Sequence, residues 1–178
     1  MVKVLLILCC FFCVQDEAVM SWNESYKLSW ADFNGKPDYG VSAVAITASG
    51  ISFGFSVKES DSRVISFTTE VFCHFYPEQS WYKPDVADAH VLGHEQLHFD
   101  ITELHARKFR HRISQLKLSN NIKKELRELN KAINKELSLL QNKYDTESNY
   151  SRNFENQAKW KTYIAEELKK FSKYKSVE

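Results

Sequence analysis

The 178-residue chain is poor in the residues that irregular or cross-linked proteins depend on. With only 5 Gly and 3 Pro, it cannot be collagen-like or dominated by loops. Neither sign of charge is in excess. Lys and Arg number 24 and Asp and Glu 23, a formal net charge of +1. Nucleic-acid binding or membrane-surface attachment by bulk charge needs a basic excess, so both are excluded. Long apolar runs are also missing. The N-terminal run Val4–Val14 would span about 16 Å as a helix, roughly half a bilayer's hydrocarbon core, so no transmembrane helix is expected. What the chain does have is 43% hydrophobic and 13% aromatic residues, which rules out a disordered polymer.

Cysteine is nearly absent once position is considered. Cys9, Cys10 and Cys13 all fall inside the Val4–Val14 run, which leaves Cys73 alone. Lys3 precedes that run and Gln15-Asp16-Glu17 follows it. A short basic start followed by a short apolar stretch is the pattern of a secretory signal peptide. Residues 1–15 are expected to be that peptide, with the cut between residues 14 and 20. No A-x-A site marks the cut. Leu6-Ile7-Leu8-Cys9 lacks the small residue of a lipoprotein box, which argues against a lipid anchor. The expectation is an exported protein, periplasmic or secreted. Residues 21–178 would form a single domain held by its core, since one cysteine cannot make an internal disulfide.

Along this domain the hydrophobic period changes once. Ser42–Ala48 reads as a strand and Ser49-Gly50 as a hairpin turn. Ile51, Phe53, Phe55 and Val57 alternate with Ser52, Gly54 and Ser56, the signature of a half-buried strand. Lys58–Arg63 reads as a charged turn, and Val64–Tyr76 as one long or two short strands. From Pro84 the period becomes helical. Asp85 is the expected N-cap of a helix running from about Val86 to Leu116. Ile122, Leu126, Leu129, Ile133, Leu137 and Leu140 mark a second, amphipathic helix. Tyr144–Asn153 reads as irregular. Phe154, Trp160, Ile164, Leu168 and Phe171 mark a third helix. A small antiparallel sheet followed by a long helix and two more predicts an α+β fold.

The motif that carries chemistry is His94-Glu95-Gln96-Leu97-His98, an H-E-x-x-H. Positions four apart lie about 40° apart round a helix and about 6 Å along it, so both imidazoles reach one ion. Glu95 projects about 100° round from His94, where it can hold a water rather than ligate. Zn²⁺ bound to His94 and His98 would acidify that water. Glu95, as catalytic general base, would take its proton and pass it to a leaving amine. A third ligand is required. His90 is one turn before His94, and a straight helix cannot bring His90, His94 and His98 to one ion. His105 lies about 10 Å beyond His98 and reads as a surface histidine. Glu103 faces about 180° away from His94. Asp100, at about 240°, is a candidate to orient neighbours or to pair with a basic side chain. The third ligand is therefore expected from outside this helix.

Several blocks resemble domain-of-unknown-function family 922. They are Leu28–Gly35, Ser80-Trp81, His90–Ile101 and Tyr144–Ser151, followed by Gln157 and Trp160. The resemblance covers nearly the whole exported part. It implies a bacterial exported, zincin-like, zinc-dependent protease acting on a peptide or protein substrate. The last block has the family form Y-D-x-x-T-x-H followed by Gly or Ser, and its His would be the natural third ligand. Here Ser148 replaces the Thr and Tyr150 replaces the His. Tyr150 is thus the implied third metal ligand, with Tyr144 and Asp145 as candidates to support a ligating imidazole. Otherwise another residue ligates, or the site is weakened. The alternative to a peptidase is a catalytically weakened or inactive envelope protein that keeps the fold and perhaps a metal.

Overall fold

The structure, a computed structural model, describes residues 18–176. The expected signal peptide lies outside the described residues. Two short strands come first, β1 (Met20–Ser21) and β2 (Ala45–Ile46). The long strands β3 (Ser49–Ser60) and β4 (Arg63–Phe75) follow, then β5 (Trp81–Tyr82). Three helices complete the chain: α1 (Ala89–Ser114), α2 (Ile122–Ser148) and α3 (Phe154–Lys170). The class is α+β with a small antiparallel sheet. β4 lies between β1 and β3, while β2 and β5 form a separate antiparallel pair. No helix among the described residues is long and apolar enough to cross a membrane.

The β3–β4 hairpin follows from the alternation in its sequence. Ile51 pairs with Cys73 and Phe53 with Val71, so the apolar residues of both strands share one face. That face lies on α1. The Phe53 ring is 4.7 Å from Phe109, and Phe75 is 5.6 Å from Phe99. Ser60 pairs with Arg63, leaving Asp61 and Ser62 as a two-residue loop with φ of 48° and 62°. This is the left-handed geometry that matches strand twist. The turn expected at Ser49-Gly50 is absent, because both residues lie in β3 and pair with Phe75 and His74 of β4. The strand expected over Ser42–Ala48 shrinks to Ala45–Ile46. Its flanks bond singly, Lys83 N–H to the Val44 carbonyl and Tyr76 N–H to the Ala48 carbonyl, so no continuous ladder forms. Gly35 closes a tight approach beside this pair. A Cβ there would sit 2.8 Å from the Glu78 and Ser80 carbonyl oxygens.

The helix α1 packs against the sheet, α2 and α3. Its burial therefore covers most of its circumference and takes in His94, Glu95, Phe99, Leu104 and Phe109. Its N-cap is Asp88, which accepts from Val91 N–H at 2.8 Å. The expected cap, Asp85, sits in a preceding turn closed by the Lys83 carbonyl. In α2 the stripe Ile122, Leu126, Ile133, Leu137 is buried and continues to Tyr144 and Ser148. Residues 144–148, read from sequence as irregular, are the last turn of this helix. Asn149, Tyr150 and Ser151 then take φ of 49°, 51° and 69° and reverse the chain into α3. Asn153 caps α3, accepting from Asn156 N–H.

Candidate metal centre

His94 and His98 come from α1, and Asp145 comes from the last turn of α2. The three donor atoms converge. His94 Nε2 and His98 Nε2 are 3.1 Å apart. Asp145 Oδ1 is 3.2 Å from the first and 2.9 Å from the second. Tetrahedral ligands bonded at about 2.0 Å to one ion lie about 3.3 Å from each other. The triangle formed by these three atoms is within a few tenths of an ångström of one face of such a tetrahedron.

Proton bookkeeping points the same way. Gln141 is oriented by two donor bonds, from Nε2 to the His98 carbonyl at 2.9 Å and to Thr102 Oγ1 at 3.3 Å. Its Oε1 therefore faces His98 Nδ1 and can only accept. The Nδ1 atom of His98 carries a proton, and in the neutral ring Nε2 presents a lone pair. That lone pair meets a carboxylate oxygen at 2.9 Å. Two acceptors at that distance repel unless a cation lies between them, either a proton or a metal ion. Burial by itself would lower the His98 pKa. The hydrogen bond to Asp145 and the charges of Glu95 and Asp145 outweigh it and leave His98 above the ordinary imidazole value. Burial by itself would raise Asp145. Hydrogen bonds from His94 and His98, with their charge, hold it well below the ordinary carboxylate range. These three donors could hold a metal ion.

The surrounding residues hold this arrangement. The Tyr144 ring stacks on His94 at 4.5 Å and meets His98 edge-on at 5.0 Å. Burial pushes its hydroxyl far up, so it stays protonated. Glu95 is 4% exposed, and its charge acts on both His98 and Tyr144. Thr47 Oγ1 donates to the Glu95 carbonyl, which ties the residue after β2 to this turn of α1. His94 Nδ1 has no partner among the described residues, so His98 is the better braced of the two imidazoles.

The other sequence candidates lie elsewhere. Tyr150 is 61% exposed, on the left-handed turn after α2. His90 bonds the Ser151 carbonyl at 2.6 Å and stacks on Phe154 at 3.6 Å, fastening that turn to α1. Asp100 accepts from Trp22 Nε1 and Gln96 Nε2, and Lys27 lies 3.8 Å away. It holds the N-terminal segment rather than the imidazoles. His105 is buried, not at the surface, with Nδ1 donating to the Ile101 carbonyl at 2.8 Å. Glu103 is fully buried against Arg107. Gln141 was not foreseen. Its signal was available: it stands one turn after Leu137 and one before Asp145, on the face that α2 turns to α1.

A family model described as "Bacterial protein of unknown function (DUF922)" matches residues 36–155. The chain belongs to DUF922. No curated protein and no solved structure matches it. The matched stretch of this DUF922 protein takes in the β3–β4 hairpin, α1 and α2, and so all three converging donors. Two residues before that stretch are tied to α1. Leu28 N–H donates to Gln96 Oε1 at 2.8 Å, and Trp22 Nε1 to Asp100 at 2.7 Å.

Proposed function

We propose that this DUF922 protein is an exported zinc metallopeptidase of zincin-like architecture. The observation that carries the proposal is the convergence of two imidazoles and a carboxylate within 2.9–3.2 Å of one another. His94, His98 and Asp145 would hold the ion, and zinc suits this N,N,O set with an open fourth position. We assign the third place to Asp145 in preference to Tyr150, whose side chain is 61% exposed. Bound zinc would supply a polarised substrate carbonyl and a more acidic water. The chain's own residues do the rest. Glu95, the residue after the first ligand, takes a proton from the attacking water and returns it to the leaving amine nitrogen. Gln141 fixes the His98 ring so that Nε2 faces the centre. Tyr144 closes the buried side of the site and keeps water from approaching there. Residues 1–15 would direct export, and residues 21–178 would act as one domain on a peptide or protein substrate.

Purified protein should carry one zinc per chain and hydrolyse a generic protein substrate. Glu95→Gln should keep the zinc and reduce hydrolysis by about 10²–10⁴-fold. The second reading is a metal-holding envelope protein without catalysis, favoured by the exposed Tyr150 where the family form has His. It predicts zinc in both proteins and no hydrolysis by either.

A further inference from the structure

A cavity of about 910 Å³ lies away from the histidine pair. It runs between α1, α3 and the segment that includes Trp22 and Leu28. Gln96, Asp100 and Arg107 line it from about 200–240° round α1 from His94, the face opposite the imidazoles. Its α1 wall extends from Ala89 to Arg107, about 27 Å of helix. This is a long trough, suited to a chain rather than a compact molecule. We propose that it binds a single-chain anionic amphiphile of the fatty-acid type. The acyl chain lies along the two helices and the carboxylate lies at the Arg107 end. This inference is independent of the peptidase proposal.

Three observations carry it. First, the walls are largely apolar, supplied by Leu92, Leu97, Phe154, Ile164, Ala165 and Leu168. Phe154, a large apolar side chain on the rim, is 64% exposed. Second, the charge is lopsided in a chain whose total is balanced. Lys27, Arg107, Lys161, Lys169 and Lys175 line the trough against only Glu24 and Asp100. Glu24 pairs with Lys175 at 2.7 Å, Asp100 with Lys27 at 3.8 Å, and Arg107 with Glu103 at 2.8 Å, so the positive excess rests on Lys161 and Lys169. Third, Arg107 lines the carboxylate end; it is 2% exposed, pairs with Glu103 at 2.8 Å and donates from Nη1 to the Leu168 carbonyl, and its Nη2 has no partner among the described residues. Gln157 Oε1, without a partner at the other end, takes a neutral donor.

The occupant is an acyl chain rather than an extended peptide for a physical reason. The walls on both long sides are helices whose backbone groups bond internally. A peptide strand laid there would find few partners for its own N–H and C=O groups, whereas a hydrocarbon chain has none to satisfy.

The test is titration of the full chain with cis-parinaric acid, a fluorescent fatty acid, below its micellar concentration. The proposal predicts one saturable site per chain. Palmitate should displace the probe, and hexadecyltrimethylammonium at equal concentration should not. Ala165→Trp, on an exposed wall position, fills the trough and should weaken binding by at least about tenfold. The double variant Lys161→Glu, Lys169→Glu should weaken it less and leave zinc content unchanged. Absence of saturable binding overturns the proposal. So does equal competition by the cationic amphiphile, or unchanged affinity in a folded Ala165→Trp protein. Tighter displacement by a synthetic peptide of residues 1–17 than by palmitate also overturns it, and makes the trough a seat for the chain's own N-terminus.

Discussion

Two polar clusters, buried or half-buried, lie along α1 and are built on opposite principles. Glu103, Arg107 and Arg110 form a closed set. Glu103 Oε1 accepts from Arg107 Nε at 2.8 Å and Oε2 from Ser176 Oγ at 3.1 Å. Arg110 spends its donors on the Val71 and Tyr174 carbonyls and on Ser176. Opposite charges meet, and of the two guanidinium groups' nitrogens only Arg107 Nη2 lacks a partner among the described residues. His94, His98 and Asp145 form an open set, whose ring nitrogens and carboxylate oxygen converge on one point and could hold a metal ion. The first cluster ties α1 to the sheet and the C-terminal segment. The second brings donors from α1 and α2 to one point. Burial alone does not separate structural from functional polar residues; the balance of donors against acceptors does.

The comparison breaks most visibly if the closed cluster is opened. Glu103→Ala leaves two guanidinium groups short of their carboxylate in the core. It should cost about 3–5 kcal/mol in urea unfolding, with zinc stoichiometry retained in the folded fraction. A large loss of zinc affinity at unchanged stability would mean that the two clusters are not separate. Gln141→Leu tests the open cluster from its rim. Without the acceptor at Nδ1, His98 loses its fixed tautomer, and zinc affinity should fall by about 10–100-fold in competition with a chelator. Unchanged affinity would remove Gln141 from the account.

The smallest effect expected is on pH dependence, and its sign is diagnostic. Metal-free protein has His98 raised above its unfolded value and Asp145 lowered below its own. The His98 contribution is complete below about pH 6.5 and is lost as pH rises through the folded value. The Asp145 contribution is complete above about pH 4 and is lost as pH falls through the folded value. The metal-free protein should therefore lose stability from neutral pH upward. Added zinc should do the reverse, because it binds deprotonated imidazoles. Thermal melts with and without zinc across this window check both signs. Parallel profiles would contradict a shared site.

Much of the fold was legible because two periods are clean. Alternation in Ile51–Val57 marked β3, and spacings of three and four from Ile122 to Leu140 marked α2. The failures have physical causes. The charged turn read over Lys58–Arg63 does hold the hairpin loop, narrowed to Asp61-Ser62 because Lys58–Ser60 pair in β3, whereas Ser49-Gly50 carries a glycine and stays extended. The stripe of α2 ends in Tyr144 and Ser148, which are polar enough to read as loop. Truncating the helix there hid Asp145 as a candidate ligand, since only the helical turn brings its carboxylate toward α1. The imidazole pair was readable because i, i+4 spacing on a helix is nearly sufficient to bring two rings together. A third donor from another helix depends on how the helices pack, and no local pattern encodes that.

The most direct measurement is zinc affinity in wild-type protein, Asp145→Asn and Tyr150→Phe, by equilibrium titration against a chelator at neutral pH. One zinc per chain is expected, with affinity lost by at least about tenfold in Asp145→Asn and unchanged in Tyr150→Phe. Tight zinc binding that survives Asp145→Asn but fails in Tyr150→Phe, or no zinc binding at all, would contradict a centre built from His94, His98 and Asp145.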